Sequence, residues 1–109
     1  MSIESEHIFA FIRREVPPPL FTKLSENTDL RRNLRMAEED ADDLLAKFFQ
    51  EFSVALGDFE FTRYFPSEGL MLFGRKRSAP APLTLGMMLQ AARNGIWDTA
   101  TIQPNQEIR

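Results

Sequence analysis

The chain has 109 residues, 43% of them hydrophobic, and a formal net charge of −3; this is the size and composition of one small folded domain. It has no cysteine, which excludes disulfides, thiol nucleophiles and thiolate metal sites. The acidic balance argues against a nucleic-acid partner, because such a partner needs a basic face.

The sequence also predicts neither export nor a membrane span. Residues 1–11 carry Glu4 and Glu6 and lack the apolar core of a signal peptide. No run approaches the roughly 20 apolar residues that are needed to cross a bilayer. We therefore expect a cytoplasmic protein.

The first predicted helix covers residues 3–15. Ile8, Phe11 and Ile12 recur on one of its faces. Pro17-Pro18-Pro19 follows and ends the helix, because three successive prolines offer no amide donors and favour an extended path.

A long first connection follows, over residues 20–38. Long unstructured loops are uncommon in compact domains, so we expect its apolar side chains to anchor it to the core. Arg31, Arg32 and Arg35 lie just before an acidic run, and we expect local ion pairs between these two groups. The anchoring set is Leu20, Phe21, Leu24, Leu30, Leu34 and Met36.

The second predicted helix, over residues 38–53, is the clearest element of the sequence. Its apolar residues recur at spacings of three and four and form one stripe that faces the core. Its start is acidic, and the positive end of the helix dipole favours carboxylates there. Asp43 and Lys47 have the spacing of a helical ion pair. The stripe is Ala41, Leu44, Leu45, Phe48, Phe49 and Phe52.

A short third helix is predicted over residues 58–65, with Asp58 as its cap. An inserted loop follows, at about 66–82. Its apolar run, residues 70–73, reads equally as a short strand, a tucked loop or an exposed patch, because periodicity does not decide at this length. Its end is a stiff linker of proline and alanine.

The fourth predicted helix begins at Thr84 and ends before Gly95. We expect Ile96-Trp97 to fold back onto the core and the polar residues 99–109 to be loose. The complete prediction is an all-α fold in a single domain over residues 1–109. It is a small four-helix bundle with a long first loop and an inserted loop before the last helix.

Several motifs, taken in order, resemble the acyl carrier proteins. The loop from Thr28 to Leu34 has the spacing of the carrier proteins' loop into their second helix. Three later stretches are similar to motifs of short bacterial acyl-carrier-like proteins. The resemblance implies the carrier proteins' helix order for the whole chain. The stretches are Asp40-Ala41-Asp42-Asp43-Leu44-Leu45, Phe59-Glu60-Phe61-Thr62-Arg63-Tyr64-Phe65 and Pro82-Leu83-Thr84-Leu85-Gly86-Met87-Met88.

The resemblance fails at the carrier proteins' chemical centre. A working carrier holds its phosphopantetheine arm on a serine at the head of the second helix. The residue in register here is Glu38, whose carboxylate cannot form that phosphodiester, and Ser53 lies at the far end of the helix. The resemblance therefore implies an acyl-carrier-like protein that lacks the phosphopantetheine serine, with no cofactor and no cofactor-binding residue.

The residues indicate no catalytic or metal centre. His7 is the only histidine, and the sequence gives no pattern of serine or carboxylate residues that would form a catalytic arrangement with it. The acidic run lacks the glycine and the spacing of a calcium loop, and consecutive helical carboxylates point apart. We therefore predict that the chain is not an enzyme, with no catalytic residue and no metal ligand.

The acidic helix start has two interpretations that the sequence leaves open: a docking face for a basic protein partner, as in carrier proteins, or a solvated start favoured by the helix dipole. The loop around residues 70–77 is a second candidate contact. Its three cations give only about 3 kcal/mol at an anionic membrane, so membrane contact is not expected. The predicted protein-binding residues are Glu38, Glu39, Asp42, Asp43, Arg75, Lys76 and Arg77.

The sequence thus predicts a non-enzymatic, acyl-carrier-like protein-interaction module. Two other functions stay open. One is a genuine acyl or peptidyl carrier with an atypical attachment site. The other is a small acidic inhibitor or immunity-type protein that blocks a basic toxin or enzyme.

Overall fold

The computed structural model describes residues 3–16, 23–66 and 80–102. Within these ranges the chain is helical, with two isolated β-bridges and no extended strand. The predicted all-α class is therefore confirmed. None of the described helices is both long enough and apolar enough to cross a lipid bilayer. The helices are α1 (Ser5–Glu15), α2 (Glu38–Glu51), α3 (Phe61–Tyr64), α4 (Leu85–Asn94) and α5 (Thr99–Ile102).

Helix α1 buries the face that the sequence predicts. Ile8, Phe11 and Ile12 are buried, and α1 packs against α4. At its start the Glu4 N–H donates a hydrogen bond of 2.8 Å to His7 Nδ1, which satisfies one amide that the helix itself leaves unpaired. The predicted proline stop at 17–19 lies outside the described residues.

The described part of the first connection is anchored as predicted. Leu24, Leu30 and Leu34 are buried and Met36 is half-buried. The loop is also joined to the start of α4, because the Leu30 N–H donates to the Leu83 carbonyl at 3.1 Å beside an antiparallel bridge. The other two predicted anchors, Leu20 and Phe21, lie outside the described residues.

Helix α2 is the centre of the aromatic core. Phe48 is fully buried, with its ring 6.2 Å from that of Phe11 in α1. Phe52, just past the helix end, lies 5.6 Å from the same Phe11 ring in an edge-on geometry. Burying a side chain of this size contributes about 1.5–3 kcal/mol. The predicted stripe is confirmed: Ala41, Leu44, Leu45 and Phe48 are buried, and Phe49 and Phe52 are half-buried.

A short parallel pairing joins the segments that follow α2 and α4. The Ala55 N–H donates to the Gly95 carbonyl and the Trp97 N–H donates to the Ala55 carbonyl, each at 2.9 Å. Trp97 is fully buried, as predicted, but the prediction is wrong for Ile96, which is 42% exposed. Paired extended segments turn alternate side chains to opposite faces, so these two neighbours cannot both face the core.

Asp58 does not cap the third helix. Helix α3 begins at Phe61 after the N-cap residue Glu60, which makes no side-chain capping bond. The Asp58 carboxylate instead accepts hydrogen bonds from the backbone N–H (3.0 Å) and the hydroxyl (2.9 Å) of Thr99. It therefore fixes the start of α5.

Helix α5 corrects two predictions. The prediction of a loose tail is wrong for residues 99–102, where Ile102 is buried and α5 packs against α4. The prediction of four helices is wrong for the described ranges, because α5 is a fifth. Both errors have one cause: a single helical turn held by the distant Asp58 has no periodic signal of its own. Residues 103–109 lie outside the described ranges.

The two ends of α4 match the sequence prediction. Thr84 Oγ1 accepts a hydrogen bond of 3.2 Å from the Met87 N–H, and Gly95 ends the helix in the left-handed conformation with φ at 78°. The predicted inserted loop lies outside the described residues from 67 to 79. Its last residues connect to α3, since the Ala81 N–H donates to the Arg63 carbonyl at 3.1 Å.

Candidate functional site

The first six residues of α2, which we call the acidic start, form an exposed carboxylate surface. Helical spacing places Glu38 beside Asp42 and Glu39 beside Asp43, so the carboxylates form two neighbouring rows. The opposite face of the same helix is buried, which leaves the acidic start facing solvent. Its exposed carboxylates are Glu38, Glu39, Asp40, Asp42 and Asp43.

The acidic start also lies at the positive end of the α2 dipole. The N-cap residue, Ala37, has no side-chain capping bond, so the first amides of the helix receive no capping oxygen from it. Glu38, Glu39 and Asp40 occupy the first turn, where a negative charge is favoured. This explains why repelling carboxylates are tolerated side by side.

The lysine of α2 is paired with α1. Lys47 Nζ lies 3.0 Å from Glu15 Oε1, and Arg14 Nε lies 3.0 Å from Glu15 Oε2. Arg14 also donates to Glu51 at the end of α2. Hydrogen bonds from Lys47 and Arg14 lower the pKa of the Glu15 carboxyl. The predicted pair of Asp43 with Lys47 is therefore not formed, because the end of α1 supplies a carboxylate closer to the lysine.

The predicted local pairing of the loop arginines is not formed either. Within the ranges that the structure describes, every ion pair involves other cations: Arg14, Lys47 and Arg93. Arg31, Arg32 and Arg35 therefore make no ion pair with the acidic start in the described part of the chain. The carboxylates of the acidic start have no cationic partner there.

An open groove of about 300 Å³ lies between the end of α1, the first connection and the acidic start. Val16, Met36 and Leu44 supply its apolar lining. The sequence did not indicate this groove, because its residues come from three separate segments and share no local spacing. Its charged lining is Glu15, Arg35, Asp40, Asp43 and Lys47.

The structure brings together only part of the predicted binding set. Asp43 lines the groove, and Glu38, Glu39 and Asp42 lie on the adjoining surface of α2. The predicted basic residues of the inserted loop, Arg75, Lys76 and Arg77, lie outside the described residues. Sequence reasoning did not select Asp40, although it sits three residues before Asp43 on the groove side.

Glu38, which the sequence resemblance aligns with the carrier proteins' serine, is exposed. Glu38 is the first residue of α2, and Ser53 lies beyond the opposite end of the helix with φ at 54°. His7 is exposed, and its Nδ1 accepts the Glu4 N–H. In residues 3–16, 23–66 and 80–102, no three histidine, aspartate or glutamate side chains converge as metal ligands.

Comparison with known proteins identifies a family but no individual relative. Residues 1–99 match the family described as "Protein of unknown function (DUF1493)". No curated protein and no solved structure matches the chain. Since the match covers nearly all of the sequence, the chain belongs to the DUF1493 family.

Proposed function

We propose that this protein is a non-enzymatic, acyl-carrier-like interaction module that binds another protein through the acidic start of α2. The observation that carries the proposal is the exposure of five carboxylates within six residues, without a cationic partner in the described part of the chain. A solvated helix start needs one cap and a favourable first turn. Asp42 and Asp43 extend the acidic surface beyond that first turn.

The support beneath this surface favours binding. Phe48 and Leu45 are buried in the core, and Lys47 is held to Glu15 across the α1–α2 contact. The backbone that carries the carboxylates is therefore fixed before a partner arrives. A surface fixed in advance loses little conformational freedom on association, so more of the contact energy appears as affinity.

The carrier-like arrangement is part of the proposal. In it, α1, α2, α3 and α4 correspond to the four helices of a carrier protein, and α5 is an addition. Glu38 occupies the register of the arm-bearing serine, so the module carries no phosphopantetheine and acts without a cofactor. What it keeps is the carrier proteins' use of the second helix as a contact surface.

The chemistry of the acidic start defines the partner class. Clustered carboxylates attract a protein with a basic surface, accelerate the encounter and repel acidic surfaces, nucleic acids included. The proposed setting is the cytoplasm. The proposed contact residues are Glu38, Glu39, Asp42 and Asp43, to which the groove adds Asp40.

The test is affinity capture from a lysate of the native host on the immobilised full-length chain. The test variant reverses two charges of the acidic start, Glu39→Lys with Asp43→Lys. The control variant makes the same change in net charge at two exposed carboxylates outside α2, Glu6→Lys with Glu60→Lys. Circular dichroism establishes that both variants are folded before capture is compared.

A further inference from the structure

A turn bearing three arginines lies directly before the acidic start, and we call it the arginine turn (residues 31–35). Arg32 and Arg35 are exposed and Arg31 is half-buried. None of their guanidinium groups forms an ion pair with a described residue. Residues 31–35 and the acidic start are therefore two oppositely charged groups, adjacent in sequence, that form no ion pair with each other or with another described residue.

Hydrogen bonds between side chains and the backbone hold the conformation of the arginine turn. Asp29, itself buried, accepts hydrogen bonds through Oδ1 from the backbone N–H groups of Arg31 (2.8 Å) and Arg32 (3.0 Å). Asn33 Oδ1 accepts a 2.7 Å hydrogen bond from the Asp29 N–H. Leu34 anchors the end of the turn in the core. The backbone of the arginine turn is thus held by bonds that leave its side chains free to contact a partner.

The groove brings the two charged groups onto one surface. Arg35 lines it together with Asp40 and Asp43, and Met36 and Leu44 belong to its apolar lining. The other cation of the groove, Lys47, is paired with Glu15 in α1. The groove therefore combines a cation that forms no ion pair with a described residue, apolar side chains and two exposed carboxylates.

A surface of this kind is complementary to itself. In a two-fold symmetric dimer each contact is made twice, with the same residues on both subunits in exchanged roles. We propose that a second copy of this chain docks on the groove. Arg32 and Arg35 of each copy then face Asp40 and Asp43 of the other.

The strength of this contact follows from the exposure of its charges. Each exposed ion pair contributes little and is screened by salt, so the dimer forms reversibly at high protein concentration and low ionic strength. Self-association does not require the basic partner of the proposed function, because the chain itself supplies the arginines. When that partner is present, it competes with the second copy for Asp43.

The experiment uses two variants of the full chain with reversed charges, and sedimentation velocity measures their association. One variant carries Arg32→Glu with Arg35→Glu, and the other carries Asp40→Lys with Asp43→Lys. In each variant the four positions that are proposed to pair carry one sign of charge, so neither variant pairs with itself. Mixed in equal amounts, the two present opposite signs. Circular dichroism checks folding, and neutral changes (Arg to Gln, Asp to Asn) replace any variant that fails to fold.

The proposal predicts that the wild type shifts from monomer to dimer as its concentration rises at low salt. It predicts that the shift is lost at about 1 M salt, where the Debye length is about 3 Å. Each variant alone stays monomeric, and the mixture forms a two-chain complex. A wild type that stays monomeric, or a mixture no larger than its components, overturns the proposal. The arginine variant retains the acidic start, so its capture of a basic partner from lysate tests the proposed function separately.

Discussion

Lys47 Nζ lies 3.0 Å from Glu15 Oε1 and so joins α2 to the end of α1. This contact has two consequences. It connects α2 to α1 beside the aromatic contact of Phe11 with Phe48. It also uses the cation that helical spacing assigns to Asp43, which leaves that carboxylate available to a partner.

The Glu15 pair predicts a pH-dependent stability. Hydrogen bonds from Lys47 and Arg14 lower the pKa of Glu15, so the pair stabilises the fold above the ordinary carboxyl value of about 4.3. This contribution is lost as the pH falls through the lower pKa of the folded state. The melting temperature of Glu15→Gln is therefore expected below that of the wild type at neutral pH, with the gap closing as the pH falls below the ordinary carboxyl value.

Thermal melts followed by circular dichroism across this pH range measure the gap. Glu26→Gln is the control, because Glu26 is exposed and forms no ion pair with a described residue. A Glu15→Gln gap that is unchanged from neutral to acidic pH contradicts the assigned ion pair.

The core position of Phe48 predicts a large loss of stability on truncation. The Phe48 side chain is fully buried, with 0% of its surface exposed to solvent. Phe48→Ala is expected to cost about 3–5 kcal/mol of unfolding free energy, because it removes buried area and leaves a cavity. Gln50→Ala, at an exposed site of the same helix, is expected to stay within about 0.5 kcal/mol of the wild type. Chemical denaturation measures both, and similar losses would place α2 outside the core.

Two glycines with positive φ predict unequal responses to the same substitution. Gly57 has φ at 56°, and a Cβ added to it would lie 2.1 Å from the Trp97 carbonyl oxygen. Gly95 has φ at 78°, but an added Cβ would meet nothing within 4 Å. Gly95→Ala is expected to cost about 1 kcal/mol from backbone strain alone. Gly57→Ala is expected to cost clearly more, because the 55–58 segment must also move off Trp97.

Denaturation midpoints of the two glycine variants give the comparison. Equal losses would show that the close approach of residue 57 to the Trp97 carbonyl is not a constraint in solution.

The proposed module has Glu38 in the register of the carrier serine, so the proposal predicts that no phosphopantetheine arm is attached. Incubation of the full-length chain with a phosphopantetheinyl transferase and coenzyme A is expected to leave its intact mass unchanged, because Glu38 cannot form the phosphodiester. A conventional carrier protein in the same reaction is the positive control. A mass gain on any serine would support a genuine carrier with an atypical attachment site in place of the proposed module.

Local patterns were sufficient for the main helices. The stripe of α2 places Phe48 inside because three- and four-residue spacing aligns side chains on one face. Thr84 and Gly95 mark the ends of α4 because capping depends on neighbours in sequence. The exposed acidic start could also be predicted from the sequence, because an excess of carboxylates at the start of a helix is a local feature that does not depend on the rest of the fold.

Contacts between residues that are far apart in the chain could not be predicted from the sequence. Asp58 has the spacing of a local cap, yet it binds Thr99, which lies 41 residues away. Lys47 prefers Glu15 over Asp43 for the same reason: the choice depends on how α1 and α2 pack. The groove beside the acidic start follows from that packing as well, which is why Asp40 was not selected from sequence.

The central claim is that the acidic start of α2 binds a basic protein, and quantitative mass spectrometry of the captured proteins tests it most directly. The account predicts a protein with a basic surface that is enriched equally by the wild type and by Glu6→Lys with Glu60→Lys. Its recovery with Glu39→Lys and Asp43→Lys should fall at least about tenfold, because opposed like charges cost several kcal/mol. Equal recovery on all three folded proteins would contradict the claim.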